Sequence, residues 1–224
     1  MTTTRPLAVA LASGGMDSCV AAAWAARHYR LAMLHVNYGQ RTEAKEARCF
    51  RQLTAHFHAE KALVVEAPYL GQVGGSSLTD FSIPVPEDDR PGEIPSTYVP
   101  FRNANLLAMA TSWAEVIGAS RLVIGAVEQD APGYPDCRPA FYEAATRLIA
   151  LGTRPETSIL VDTPLIALRK ADVIRLGMEL GAPLELTWSC YRSEDAPCRR
   201  CASCRRREEA FAEVGVADPL LAGA

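Results

Sequence analysis

Two clusters of residues in this chain have the types and spacing that chemistry asks for. The first is Ser13-Gly14-Gly15-Met16-Asp17-Ser18. Two adjacent glycines let the backbone turn its N–H groups toward an anion with no Cβ in the way, and Ser13 and Ser18 add hydroxyl donors. At the start of a helix such a loop also gains the positive end of the helix dipole, so a triphosphate fits it. The second cluster is Cys190, Cys198, Cys201 and Cys204. Their C-x7-C-x2-C-x2-C spacing lets four thiolates converge tetrahedrally on one zinc ion with no position left open, which makes a structural site. Four cysteines can also hold an iron–sulfur cluster, and the spacing leaves that rival standing.

Regular elements must position both clusters. The run LAVALA before the glycine loop reads as a buried parallel strand, and the Ala-rich CVAAAWAARHY after it as a helix. Apolar runs at 31–37, 62–67, 121–127 and 158–165 alternate with helical composition over 43–58, 102–117, 139–151 and 169–180. This pattern predicts right-handed parallel crossovers and a doubly wound five-stranded sheet of the α/β class. Ligands bind such sheets beyond the carboxyl ends of the strands. The polar stretch after the fourth strand, Glu128-Gln129-Asp130 and Gly133-Tyr134-Pro135-Asp136-Cys137-Arg138, is therefore a candidate substrate wall. Residues 68–101 break the rhythm with Gly71, Gly74, Gly75, repeated prolines and Glu87-Asp88-Asp89, and read as a lid or substrate loop. A last helix from Cys204 to Val214 closes the chain with its arginines outward. The expected organisation is an α/β domain over 1–185 with a cysteine-bearing extension, 186–224, packed on it.

At 224 residues and 49% hydrophobic content the chain can bury one full core and a small appendage. A net charge of −3 argues against a broad nucleic-acid-binding face and favours a small-molecule substrate. No apolar run reaches the roughly 18 residues of a membrane span, and the first residues lack the apolar core of a signal peptide. No membrane partner and a cytoplasmic location are expected. In a reducing compartment seven cysteines, four of them crowded into the tail, read as metal ligands rather than a disulfide framework.

The strand–SGGxDS–helix unit lacks both GxxxxGK[ST] and GxGxxG, and it resembles the PP-loop of the ATP pyrophosphatase superfamily, with its adenine nucleotide alpha hydrolase-like fold. Further stretches narrow the likeness: Asn37-Tyr38-Gly39-Gln40-Arg41, Val99-Pro100-Phe101-Arg102-Asn103, GYPDCRPAF, LTWSCY and the four-cysteine tail. Together they resemble the 7-cyano-7-deazaguanine synthase (QueC) family over roughly residues 7–215. The resemblance implies an ATP-dependent carbon–nitrogen ligase of queuosine biosynthesis, taking 7-carboxy-7-deazaguanine and ammonia to the 7-cyano product. A carboxylate is a poor electrophile, so ATP first turns its oxygen into a leaving group and ammonia displaces it. Activation of the resulting amide then allows dehydration to the nitrile. A homodimer is implied by the family, and no direct nucleic-acid partner.

Carried onto this chain, the resemblance places the nucleotide on Ala12, Ser13, Gly14, Gly15, Met16, Asp17 and Ser18, with Cys19, Val20, Ala21 and Ala22 flanking it. Asp17 would engage Mg²⁺, directly or through water, and Arg102 or Lys170 would neutralise charge on the phosphates. His35 and Asn37 lie where adenosine binds in the superfamily. For the base, the candidates are Tyr38, Gln40, Arg41, Tyr134 and Asp136. Asp136, ranked first, would pair with the 2-amino and N1–H edge, an arginine such as Arg41 would match the substrate carboxylate, and a tyrosine would stack on the ring. Cys19, Cys49 and Cys137 read as non-catalytic. The chain departs from the family pattern at Phe101, at Ala131-Pro132, and at Arg199-Arg200, where the tail must turn without glycine.

Three rivals remain at this level. A PP-loop thiolase acting on tRNA would carry a catalytic thiol and more positive charge. A zinc-knuckle binding module would use Arg199, Arg200 and Arg205–Arg207 on phosphates. A relative could attach a deazaguanine to another acceptor.

Overall fold

The computed structural model describes residues 5–88, 93–128 and 134–221. Asp89, Gln129, Asp130, Gly133 and the Ala131-Pro132 departure lie outside the described residues. Five strands form one parallel sheet in the order β3-β2-β1-β4-β5. The first, β1 (Leu7–Leu11), is buried at every position and pairs with β2 (Arg30–Asn37) on one side and β4 (Arg121–Ile124) on the other. The outer strands are β3 (Lys61–Glu66) and β5 (Leu160–Asp162). From β1 the chain winds outward through β2 to β3, then returns to β4 on the opposite side of β1. The winding thus reverses at the carboxyl ends of β1 and β4, where open α/β sheets hold ligands.

Alternation along β1 splits the core in two. Leu7, Val9 and Leu11 pack with Leu107, Ala110 and Ala114 of α4 (Arg102–Ile117) and with Tyr142 and Ile149 of α5 (Pro139–Gly152). Ala8 and Ala10 face the other layer. That layer contains α1 (Met16–His28), α2 (Glu43–His56), α6 (Lys170–Leu180) and α7 (Ala202–Val214). A one-turn helix, α3 (Tyr69–Gln72), interrupts the long loop.

Two strands are shorter than the apolar runs that announced them. The run 121–127 pairs only to Ile124 because a Cβ on Gly125 would stand 2.6 Å from the Asp17 carbonyl oxygen, so the backbone there must pass close against the start of α1. Within 158–165 only Leu160–Asp162 reaches β4. None of the described helices is long and apolar enough to cross a membrane.

The long loop is strapped down. Arg41 sends its guanidinium into the carbonyls of Ser77, Asp80 and Ile83, and Arg192 of the tail holds Val85 and Glu87. The tail in turn rests on the sheet domain: the Trp188 N–H donates to the Gly14 carbonyl at 2.9 Å, and Cys49 of α2 packs among Trp188, Cys190, Cys201 and Cys204. The expectation of outward arginines on the last helix fails at Arg207. That side chain is 3% exposed and forms a two-pronged pair with Asp218 at 2.7 and 2.8 Å.

Candidate active site

The turn from β1 into α1 is built as its residues require. Gly14 sits at φ +85°, and a Cβ there would meet the Glu46 carbonyl oxygen at 2.6 Å, so α2 approaches the loop as only glycine permits. Gly15 is the N-cap of α1, and no side chain caps that helix, which leaves its first amides to an anion. The serine hydroxyls hold the loop's shape: Ser13 Oγ accepts the Gly15 N–H at 3.2 Å and Ser18 Oγ donates to the Gly15 carbonyl at 2.9 Å. Asp17, in the first turn of α1, meets Lys170 from the first turn of α6, with Nζ 2.7 and 3.0 Å from its two oxygens.

Beside this loop opens a cavity of about 280 Å³. The end beside the β1–α1 turn is lined by Ala12, Ser13, Gly15, Met16, Asp17, Ser18 and Lys170. Its other end is lined by Tyr38, Gln40, Arg102, Tyr134, Tyr191 and Arg206. The Arg102 guanidinium donates to the Tyr38 hydroxyl at 3.3 Å and lies 6.0 Å from that ring's centre. Burial works against the Arg102 charge, and the hydrogen bond to the Tyr38 hydroxyl favours it. Burial also pushes the Tyr38, Tyr134 and Tyr191 hydroxyls up, so all three remain neutral donors. Tyr134 is anchored through Thr97 of the long loop.

Several sequence expectations need correction here. Gly14 shapes the loop without lining the cavity. Cys19, Val20, Ala21 and Ala22 are at most 1% exposed and pack into the core behind α1, because helix periodicity turns them toward the sheet. On β2 it is Leu34 and Val36 that line the cavity. His35, on the alternate face, is 1% exposed, stacks on Phe50 and donates from Nδ1 to the Ala12 carbonyl, and burial pushes its pKa down. Asn37 donates to Glu66. Arg41 borders the cavity, but its guanidinium is committed to the long loop. Asp136 does not line the cavity: its Oδ2 accepts the Asn103 N–H at 2.9 Å, capping α4 from a distant loop, while its carbonyl accepts from Asn103 Nδ2. The carboxylate satisfies an amide that the helix cannot.

Other cavity residues were not anticipated. Glu46 and Thr42 enter from α2 and its N-cap, and Trp188, Ser189, Tyr191, Ser203 and Arg206 enter from the tail. The helical register of 43–58 alone does not say which face meets the loop, and the tail contributes through contacts far apart in sequence. Glu46 has the most shifted carboxyl in the cavity: burial pushes it up to about 7, against hydrogen bonds from Thr42 and Gln40 and the charge of Arg102. Burial raises Cys19 to about 12 and raises Cys49 as well, which leaves neither as a thiolate nucleophile.

The sulfur atoms of Cys190, Cys198, Cys201 and Cys204 lie within 4.8 Å of one another. Backbone amides point at them: Cys190 Sγ accepts from Arg192 at 3.3 Å and Cys198 at 3.4 Å, and Cys198 Sγ accepts from Cys201 at 3.3 Å. Converged sulfurs with amide donors suit thiolates around a metal ion. Arg199 supplies the turn at φ +56°, the left-handed conformation that glycine would adopt freely. The tail arginines are matched by acids, Arg199 with Glu208, Arg205 with Asp88 and Arg207 with Asp218, which disfavours a phosphate-binding knuckle.

A family model described as "Queuosine biosynthesis protein QueC" matches residues 7–215. A 7-cyano-7-deazaguanine synthase of Chlorobaculum parvum is 59% identical over 215 residues, covering 95% of each chain. One from Acidobacterium capsulatum is 55% identical over 225 residues, covering 98% of each. Among solved structures, an NMN synthetase from Francisella tularensis aligns with a TM-score of 0.48 at 15% identity, covering 99% of this chain and 78% of its own.

Proposed function

The chain belongs to the QueC family of queuosine biosynthesis, and from that premise we propose that it converts 7-carboxy-7-deazaguanine and ammonia to 7-cyano-7-deazaguanine with ATP. The observation that carries the proposal is the single cavity joining the phosphate loop to the tyrosine–arginine end. ATP and a flat base can meet there with the base's carboxylate near the α-phosphate.

Within that cavity the α1 amides and the Ser13 and Ser18 hydroxyls hold the pyrophosphate. Lys170 and Arg102 approach from opposite elements and oppose the negative charge that builds as the carboxylate oxygen attacks phosphorus. Asp17 would hold the Mg²⁺ that accompanies ATP, directly or through water, and that ion supplies further neutralisation. Tyr38 and Tyr134 offer ring faces and hydroxyls to the base, and Gln40 orders the turn beneath it, its Oε1 accepting the Tyr38 N–H at 2.8 Å. The carboxylate oxygen displaces pyrophosphate from ATP, and ammonia, losing a proton, displaces AMP to give the amide; the amide oxygen then displaces pyrophosphate from a second ATP and leaves with AMP as the nitrogen gives up its two protons, which yields the nitrile. The four cysteines would hold one zinc ion, whose role is structural because the sulfurs close its coordination.

A chain whose four tail cysteines serve as metal ligands suits a reducing cytoplasm. A homodimer is proposed, and Val116 of α4 and Leu148 and Leu151 of α5, 77%, 71% and 87% exposed, are apolar side chains that a second copy would cover.

The test is mass spectrometry of small molecules after incubating the protein with 7-carboxy-7-deazaguanine, an ammonium salt and Mg-ATP. Amide followed by nitrile, each requiring ATP and ammonium, is expected. Cleavage of ATP with neither product would refute the synthase assignment and direct the search to another acceptor.

A further inference from the structure

With Asp136 engaged at the amino end of α4, the pyrimidine edge of a guanine-like ring needs another acceptor. Of the described residues lining the cavity, only Asp17 and Glu46 carry a carboxylate. Asp17 belongs to the phosphate loop and faces Lys170. We propose that Glu46 reads the base, its two oxygens accepting the N1–H and the 2-amino group of the deazaguanine; this rests on the synthase assignment.

The geometry suits that task. Thr42 Oγ1 donates to Glu46 Oε1 at 2.7 Å and Gln40 Nε2 donates to Oε2 at 3.2 Å. Each oxygen is thus held by one neutral donor and keeps another lone pair, which fixes the plane of the carboxylate and leaves two acceptors side by side. Gln40 is fixed in turn by the Tyr38 N–H. One short segment therefore supplies a ring face at Tyr38 and an edge reader at Glu46. The charged and titratable groups facing Glu46 are Arg102 from α4, which favours its ionised form, Glu43 on its own helix, which opposes it, Tyr38, and Cys49. Burial pushes this carboxyl up to about 7. Two N–H donors from the base favour the ionised form.

The experiment compares steady-state turnover of 7-carboxy-7-deazaguanine with that of its analogue lacking the 2-amino group, in the full chain and in Glu46→Gln. The wild type is expected to prefer the aminated substrate in kcat/KM by about 10–100-fold, the range of a hydrogen bond to a charged group. In Glu46→Gln that preference collapses toward unity while KM for ATP stays put. A variant that keeps the full preference, or a wild type that shows none, overturns the proposal. Should the variant fail to fold, the wild type decides through binding of the base with a non-hydrolysable ATP analogue present. Affinity rising between about pH 5.5 and 8, as a carboxyl near 7 ionises, supports Glu46, and a flat profile rejects it. If the wild type forms product from neither substrate, the synthase assignment itself has failed and this inference falls with it.

Discussion

Glu46 sits where folding alone would not place an ionisable group. Its pKa in the folded chain lies near 7, above the ordinary carboxylate range, because burial disfavours the charge. A carboxyl raised on folding contributes stability that is fully present below its unfolded pKa and is lost as pH rises through the folded value. Glu46→Gln removes that penalty, so it should raise melting temperature at pH 8 and leave it nearly unchanged at pH 4. The gain is on the order of 2 kcal/mol, or about 5 °C for a chain of this size. Thermal melts at the two pH values check it, and equal shifts at both would show that the carboxyl is not strained by ionisation. Single residues also mark where sequence stops being informative. Arg41 and Arg102 both stood in motifs, but residue type does not reveal that one guanidinium meets three loop carbonyls while the other meets the Tyr38 hydroxyl in the cavity wall. Phe101 and Arg199 were visible as departures, and each holds a positive φ of 56°.

At the scale of elements, α4 depends on a cap it does not carry. Phe101, its N-cap, makes no side-chain hydrogen bond to the helix, and the Asn103 amide is satisfied by Asp136. Asp136→Ala should therefore cost about 1–2 kcal/mol, the range for a lost cap. It should lower the melting temperature and disturb Arg102 one residue away, yet leave the preference for the 2-amino group in place. Loss of that preference on mutating Asp136, measured with the same substrate pair, would restore it as the base reader. The order and kind of the elements were legible because alternating apolar runs and helical composition admit few topologies. What the pattern could not reveal was face and length. His35 and Asn37 were placed by the end of β2, but alternation turned Leu34 and Val36 to the cavity instead. The β4 run stopped early where Gly125 passes α1, a contact between segments more than 100 residues apart.

For the whole molecule, the tail is more than a stabilising appendage. The four cysteines were readable because their spacing is local, whereas their effect on the cavity depends on long-range contacts. Cys190 is followed by Tyr191, and Cys201 precedes the helix that carries Ser203 and Arg206, so a metal on these sulfurs would fix three cavity-lining residues. The same segment reaches the phosphate loop through the Trp188 amide and holds the long loop through Arg192 and Arg205. Metal loss should then loosen sheet domain, loop and tail together, since binding and folding are coupled. In a background with Trp24→Phe and Trp113→Phe, emission reports Trp188 alone of the three tryptophans. Trp188 is 4% exposed, so its emission should start blue-shifted. Chelation, or Cys201→Ser, should release the metal bound by the four cysteines, shift that emission to the red, lower the melting temperature and weaken ATP binding about tenfold or more. Metal analysis, fluorescence and a nucleotide titration on the same sample check the chain of effects. Release of the metal with Trp188 emission and ATP affinity both unchanged would show the four-cysteine site to be independent of the cavity, and contacts such as the buried Arg207–Asp218 pair and the Trp188–Gly14 hydrogen bond would then suffice to hold the wall formed by Tyr191, Ser203 and Arg206.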